Sequence, residues 1–243
     1  IGVDGDKEQG VGDIERILKE SADRFTIFVT TAGGDMNTMR RLMRAGVSDV
    51  FPQPLPVQEL VMALTNALSE KRGRVLDAKG GRGGITAFLN AKGGSGATTL
   101  AVNVAYYLRK NLKASVALID LDIQFGTAAM FLDLKPRSHV MDALQQPERL
   151  DPVFLQALMT KHESGLEVLA SPGDLSSIDD IQEDAITRLL GAAVENYDFV
   201  IVDMPRVCSA WTLAVMKFAD PVIVVVQNDV ATLRDAKLLL DQL

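Results

Sequence analysis

The sequence holds one cysteine, Cys208, two histidines, one tryptophan and three tyrosines among its 243 residues. A lone cysteine excludes an internal disulfide and any metal site built from several cysteines. Neither His139 nor His162 is near it in sequence, so Cys208 reads as a small packing residue and not as a nucleophile. No apolar stretch approaches the roughly 18 residues that cross a bilayer, and no signal peptide opens the chain, so the expectation is a cytoplasmic protein. Positive charge is in deficit: 25 Lys and Arg stand against 32 Asp and Glu, a net charge of −7. That balance argues against strong non-specific nucleic-acid binding, and the few aromatics do not interleave with basic residues as base-stacking surfaces do. Internal repeats and low-complexity tracts are also lacking. A hydrophobic content of 47% is enough to build real cores, in one large or two modest α/β domains.

The most informative stretch is Asn90-Ala91-Lys92-Gly93-Gly94-Ser95-Gly96-Ala97-Thr98-Thr99. It keeps the glycines and hydroxyls of the phosphate-binding loop G-x-x-x-x-G-K-[ST] but carries Ala97 at the lysine position. An apolar run, Ile85 to Leu89, precedes it, and Thr98 to Leu108 follows with apolar residues at helical spacing. The loop therefore joins a strand to a helix N-terminus, where N–H donors and the helix dipole favour an anion. The candidate nucleotide-binding residues are Lys92, Gly93, Gly94, Ser95, Gly96, Ala97, Thr98 and Thr99, with the Thr98 hydroxyl a candidate Mg²⁺ ligand.

Two further strands end in acids. Ala114 to Ile119 is an uninterrupted apolar run, as expected of a parallel strand buried on both faces, and it leads into Asp120-Leu121-Asp122-Ile123-Gln124-Phe125-Gly126. Carboxylates two residues apart at a strand end point the same way. Phe199 to Val202 ends in Asp203-Met204-Pro205, a Walker B pattern whose carboxylate can hold Mg²⁺ directly or through water. The order of loop, Asp-x-Asp and strand-Asp-x-Pro is much rarer than any one piece.

These motifs resemble the MinD/ParA group of dimerising ATPases, whose variant loop K-G-G-x-G-K-[ST]-T carries a signature lysine before the first glycine. The resemblance implies that Lys92 reaches across a homodimer interface to the partner's nucleotide. It also implies that Asp120 lies near the metal with Thr98 and Asp203, and that Asp122 orients the attacking water, with ATP and Mg²⁺ as cofactors. Ala97 departs from the group's pattern. Loss of one charge-assisted phosphate contact costs about 1.5–3 kcal/mol, which weakens binding by one or two decades without abolishing it. Slow or absent hydrolysis follows as the expectation.

The residues before the loop alternate strands and helices on their own account. The spacing predicts strands at Ile1 to Val3, Phe25 to Thr31 and Asp49 to Phe51, and helices from Asp13 to Glu20, around Thr38 to Ala45 and from Val57 to Leu68. This half resembles the second half of a response-regulator receiver domain: Thr30-Thr31-Ala32 matches the switch Thr, and Ala45 to Asp49 followed by Pro52 to Leu55 matches its last strand and Lys-Pro turn. Gln53 replaces the receiver lysine, and Asp4, a candidate for the phosphoacceptor position, reads more readily as a turn or cap acid, so the expectation is a pseudo-receiver that docks onto partners without being phosphorylated. Residues 70–84, rich in Gly and positive charge, read as a flexible linker.

In the second half, Thr127 to Leu134 and Val140 to Leu144 read as amphipathic or loop segments. A helix is predicted near Pro152, a strand at Leu166 to Ala170, a helix from about Glu183 to Glu195, a strand at Val222 to Val226 and a helix from Ala231 onward. The fold class is α/β: a parallel-sheet P-loop domain over 85–243, C-terminally incomplete, preceded by a partial receiver-like domain over 1–70, N-terminally incomplete, with a linker over 71–84. The two-part architecture resembles the CpaE/TadZ family of Flp (Tad) pilus assembly. That resemblance implies a nucleotide-dependent positional scaffold, pilus and secretion machinery as partners through the receiver-like part, and recruitment to the inner face of the membrane at a cell pole. The residues leave other readings open: a competent ATPase of flagellar placement or DNA partitioning, or a scaffold that has lost nucleotide binding.

Overall fold

The computed structural model describes residues 2–3, 12, 15, 26–31, 36–54, 56, 58–67, 83–175, 178–219, 221–226 and 230–240. The expected helix from Asp13 to Glu20, the acid Asp4 and linker residues 70–82 fall outside these residues, wholly or nearly so. Strands β1 (Gly2–Val3), β2 (Phe28–Thr31) and β3 (Asp49–Pro52) form a three-stranded parallel sheet in that order. Helix α1 (Met36–Ala45) links β2 to β3, and a second helix, α2, covers residues 58–67.

A larger sheet of six strands carries the loop. Its strands are β4 (Gly84–Asn90), β5 (Val116–Asp120), β6 (Thr160–Lys161), β7 (Glu167–Leu169), β8 (Phe199–Asp203) and β9 (Val222–Val225), in the spatial order β6-β7-β5-β8-β4-β9. All neighbours are parallel except β6 and β7. Helices α3 (Ala97–Asn111), α4 (Ala128–Phe131), α5 (Val140–Leu144), α6 (Pro152–Leu158), α7 (Glu183–Asn196), α8 (Ala210–Phe218) and α9 (Val230–Leu240) connect them.

Burial explains why the central strands read as unbroken apolar runs. Every residue of β5 and β8 is buried, because alternate side chains enter different cores. Ile85, Ala87 and Leu89 of β4 join Ile119, Val200 and Val202 in one cluster with Ile186, Leu189 and Leu190 of α7 and Trp211 and Val215 of α8. Phe88, Leu118 and Ile201 join the other, with Ala97, Ala101, Val104, Ala105 and Leu108 of α3. Three alanines on that α3 stripe leave no exposed surface, and their short side chains let the helix settle close on the sheet. The same cluster runs on to Phe51, Leu60, Val61 and Leu64 of the N-terminal part.

Several boundaries shift from the sequence reading. Gly83 and Gly84, expected at the end of the linker, are built into the large sheet: β4 begins at Gly84, and the Gly83 amide donates to the Val194 carbonyl at 3.0 Å. Strand β2 starts at Phe28, three residues later than expected. Thr127 to Leu134 and Val140 to Leu144 resolve into the short helices α4 and α5. Helix α8 and the two-residue strand β6 were not anticipated. Ser209 caps α8 reciprocally with Thr212, a local signal for a helix start.

Candidate functional site

The loop after β4 and the ends of β5 and β8 meet at the carboxyl edge of the large sheet, where open α/β sheets bind ligands. Backbone amides that donate to other groups anchor the loop at both ends. The Ala91 amide donates to the Val225 carbonyl at 3.0 Å. At the far end the Ala97 amide donates to Asn90 Oδ1 at 2.9 Å, so the first and last parts of the loop are tied across seven residues. Inside it, the Ser95 amide and hydroxyl both donate to the Lys92 carbonyl, at 3.2 and 2.8 Å. Gly94 and Gly96 hold φ of 81° and 100°, left-handed conformations that side-chain-bearing residues rarely adopt. Gly96 then serves as the N-cap of α3.

The structure thus assembles the loop residues Lys92, Gly93, Gly94, Ser95, Gly96, Ala97, Thr98 and Thr99 into one turn at a helix N-terminus. Lys92, Gly93, Gly94 and Thr99 are exposed; Ser95, Gly96 and Thr98 are half-buried; Ala97 is fully buried at the first turn of α3.

The two strand-end acids are brought together by register. Asp120 and Asp203 are direct partners across β5 and β8, although 83 residues separate them in sequence. Each is only 1% exposed. Asp120 accepts the Asp122 amide and the Ala128 amide, both at 3.1 Å. Among the described residues neither Asp203 carboxylate oxygen meets a donor at full bonding geometry, and the Thr98 hydroxyl is the near group that favours its charged form. Burial raises the Asp203 carboxyl to about 7, with repulsion from Asp120 adding to it. Burial likewise lifts Asp120 to about 7 against the two amides that oppose the shift. In such a pair the repulsion falls on whichever carboxyl ionises second. Asp122 is half-buried, and desolvation raises it while the Phe125 amide, at 3.3 Å, pulls it down.

A buried carboxyl with no described donor at full bonding geometry, beside a second one and a threonine hydroxyl, suits a divalent cation. Among the described residues, no three His, Cys, Asp or Glu side chains gather as a metal site on their own. That donor set fits Mg²⁺, which takes one or two carboxylates together with water and phosphate oxygens. Thr98, Asp120 and Asp203 would hold it.

Three supporting residues carried no role in the sequence reading. Gly126 backs onto the Asp120 carboxylate so closely that a Cβ there would collide with both its oxygens and with Ser171. The Ser171 hydroxyl, just past β7, faces the carbonyls of Asp122 and Ile123 at 2.7 and 2.9 Å and pins the acid-bearing turn. Arg206 reaches back from the end of β8 to donate from Nε to the Ala91 carbonyl at 2.9 Å. Gly126 was legible as the last residue of the Asp-x-Asp stretch; the partners of Ser171 and Arg206 are distant in sequence and left no local signal. Beside the N-terminal sheet, Gln53 Nε2 donates to the Thr30 hydroxyl at 3.3 Å.

Residues 83–243 match the AAA domain family. Among solved structures, the chain is similar to a ParA family ATPase from Chlorobium tepidum TLS, with a TM-score of 0.60 and 26% identity over 65% of this chain and 66% of that one. The septum site-determining protein MinD from Pyrococcus horikoshii OT3, solved with Mg-ADP, gives a TM-score of 0.55 at 18% identity, over 65% of each chain. The kinase domain of the Escherichia coli tyrosine kinase ETK gives 0.58 at 19% identity, over 76% of this chain and 69% of that one. The chain spans about two thirds of the length of these structures. No curated protein matches it. The shared architecture is a mixed α/β fold with a mostly parallel sheet, like that of ParA and MinD P-loop ATPases.

Proposed function

Because the chain belongs, through residues 83–243, to the AAA domain family, we propose that it binds ATP-Mg²⁺ at the variant loop, dimerises on it, and serves as a nucleotide-dependent positional scaffold with slow or absent hydrolysis. The observation that carries this reading is the buried Asp203 carboxyl, with no described donor at full bonding geometry, set beside Asp120 and Thr98 at the sheet's carboxyl edge. In isolation that arrangement is costly. Mg²⁺ held by these residues would relieve that cost and would supply positive charge to the bound phosphates.

In this reading the loop over residues 93–98 wraps the phosphates, with the Ser95 and Ala97 amides bracing it internally on Lys92 and Asn90, and Asp122 orients water. Lys92, exposed beside the first glycine, is the residue that reports nucleotide to a second copy. Ala97 removes one charge from the loop, which weakens the phosphate grip by about 1.5–3 kcal/mol and favours a bound, slowly turning-over state. The residues before the loop act as a pseudo-receiver: Gln53 occupies the place of the receiver lysine and lies on Thr30. Together the two parts make a CpaE/TadZ-type scaffold of Flp (Tad) pilus assembly, recruited to the inner face of the membrane at a cell pole, with the receiver-like part docking on the pilus and secretion machinery.

The test is calorimetry with ATP, with and without Mg²⁺, and light scattering on the same samples. Mg²⁺-dependent binding with dimer formation is expected, and Lys92→Ala should bind nucleotide while remaining monomeric. No binding at millimolar ATP would overturn the proposal. Mg²⁺-dependent turnover that disappears in Asp122→Ala would instead identify a competent ATPase.

A further inference from the structure

The geometry points to Arg206 as a positioning residue that latches the phosphate loop from the end of β8; for nucleotide binding this rests on the function proposed above. Its guanidinium has two partners on different elements. Nε donates to the Ala91 carbonyl at 2.9 Å, and Nη2 pairs with Asp235 on α9. Both side chains are only partly covered, at 52% and 30% exposure, so the pair itself adds little to global stability. Its effect is local. Ala91 is fully buried and its amide is already committed to Val225. With the carbonyl committed to Arg206, both backbone polar groups of the residue before Lys92 are tied.

A trans peptide is planar, with its C=O and N–H pointing opposite ways. Holding the Ala91 carbonyl therefore holds the Lys92 amide and the direction in which the Lys92 Cα departs. A cation on the carbonyl also polarises the peptide unit, so the Lys92 amide becomes a better donor. Ala97 has no long side chain to brace the loop from within, and the side chains that tie it include Asn90, which holds the Ala97 amide, and Arg206, which holds the Ala91 carbonyl. Asp235 fixes the guanidinium in turn, so that a displacement of α9 reaches the loop through one residue.

Amide hydrogen exchange of the nucleotide-free chain, followed by Mg-ATP titration, tests the latch in Arg206→Ala, Arg206→Lys and Asp235→Asn. Arg206→Ala should speed exchange about tenfold across residues 90–97 while exchange in α7 and the melting temperature stay as in the parent, and should weaken Mg-ATP binding about tenfold. Arg206→Lys should restore little, since a point charge does not reproduce the two-sided geometry of the guanidinium. Asp235→Asn should move both readouts the same way by less. Unchanged loop exchange in Arg206→Ala would overturn the latch, as would full rescue by lysine. Loosening of the loop without loss of affinity would overturn its bearing on nucleotide. A parent that binds no Mg-ATP but loosens on Arg206→Ala would uphold the latch and overturn the nucleotide-binding reading.

Discussion

Replacing Asp203 with asparagine should make the nucleotide-free protein more stable, and the gain should appear only as pH rises. The Asp203 carboxyl stands at about 7 in the fold against 3.8 for the free side chain, chiefly through burial and then through Asp120. The folded state therefore holds this proton more tightly than the unfolded chain. The group's contribution is full below about pH 4, declines as pH climbs, and is gone above about pH 7. A difference of about three pH units corresponds to about 4 kcal/mol, taken as an upper figure because Asp120 shares the repulsion. Asparagine has nearly the same shape and never ionises. The Asp203→Asn variant should match the parent to within about 1 kcal/mol at pH 4.5 and exceed it by about 3–4 kcal/mol at pH 8. For a chain of this length that is a rise in melting temperature of about 6–16 °C at pH 8. Thermal melts of both proteins from pH 4.5 to 8, without ligand and with Mg-ATP, read the effect directly. Mg-ATP should stabilise the parent and leave the variant nearly unmoved. A variant that melts at or below the parent at pH 8, or a gap that ignores pH, would refute the account of Asp203 as an uncompensated buried carboxyl.

The same reasoning separates the two acids. Asp120→Asn should gain less than Asp203→Asn at pH 8, because Asp120 accepts two amides and an amide group in its place turns an NH₂ toward one of them, at about 1–3 kcal/mol. Side-by-side denaturant melts give the comparison. Gly126→Ala should cost about 2–4 kcal/mol, since its Cβ would meet the Asp120 carboxylate and Ser171, and a midpoint within experimental error of the parent would count against the close approach. Ser171→Ala should lose about 1 kcal/mol of stability and should lower Mg-ATP affinity more than Asn103→Ala, a control whose amide bonds only the Thr99 carbonyl on the same helix.

How much of this was legible in the residues follows from how local each signal is. The loop and its flanking strand and helix are contiguous, and the apolar run, the glycines and the apolar stripe of α3 all act within a few residues. Strands β5 and β8 read clearly because burial on both faces leaves them no polar alternation. Boundaries slipped where neighbours decide. Gly83 and Gly84 look like linker in sequence, yet pairing with β8 and the Val194 carbonyl draws them into the sheet. Helix α8 was missed because Trp211, Val215 and Met216 show their purpose only once α7 is beside them; its capping pair at Ser209 and Thr212 was the available clue.

The elements of the candidate site stand in the chain as contiguous patterns: a glycine-rich turn at a helix start, hydroxyls to follow it, no lysine at Ala97, and acids at the tips of two apolar strands. Those are short-range facts, set by which backbone angles glycine permits and which runs must be buried. It took the assembled sheet to make Asp120 and Asp203 register partners, to close Gly126 and Ser171 behind Asp120 and to bring Arg206 to the loop. The acid pair and the Arg206 contact depend on β8 inserting between β5 and β4, and the Ser171 contact on β7 pairing with β5; the order is built from crossovers of many residues, and no local pattern encodes which strand will lie beside which.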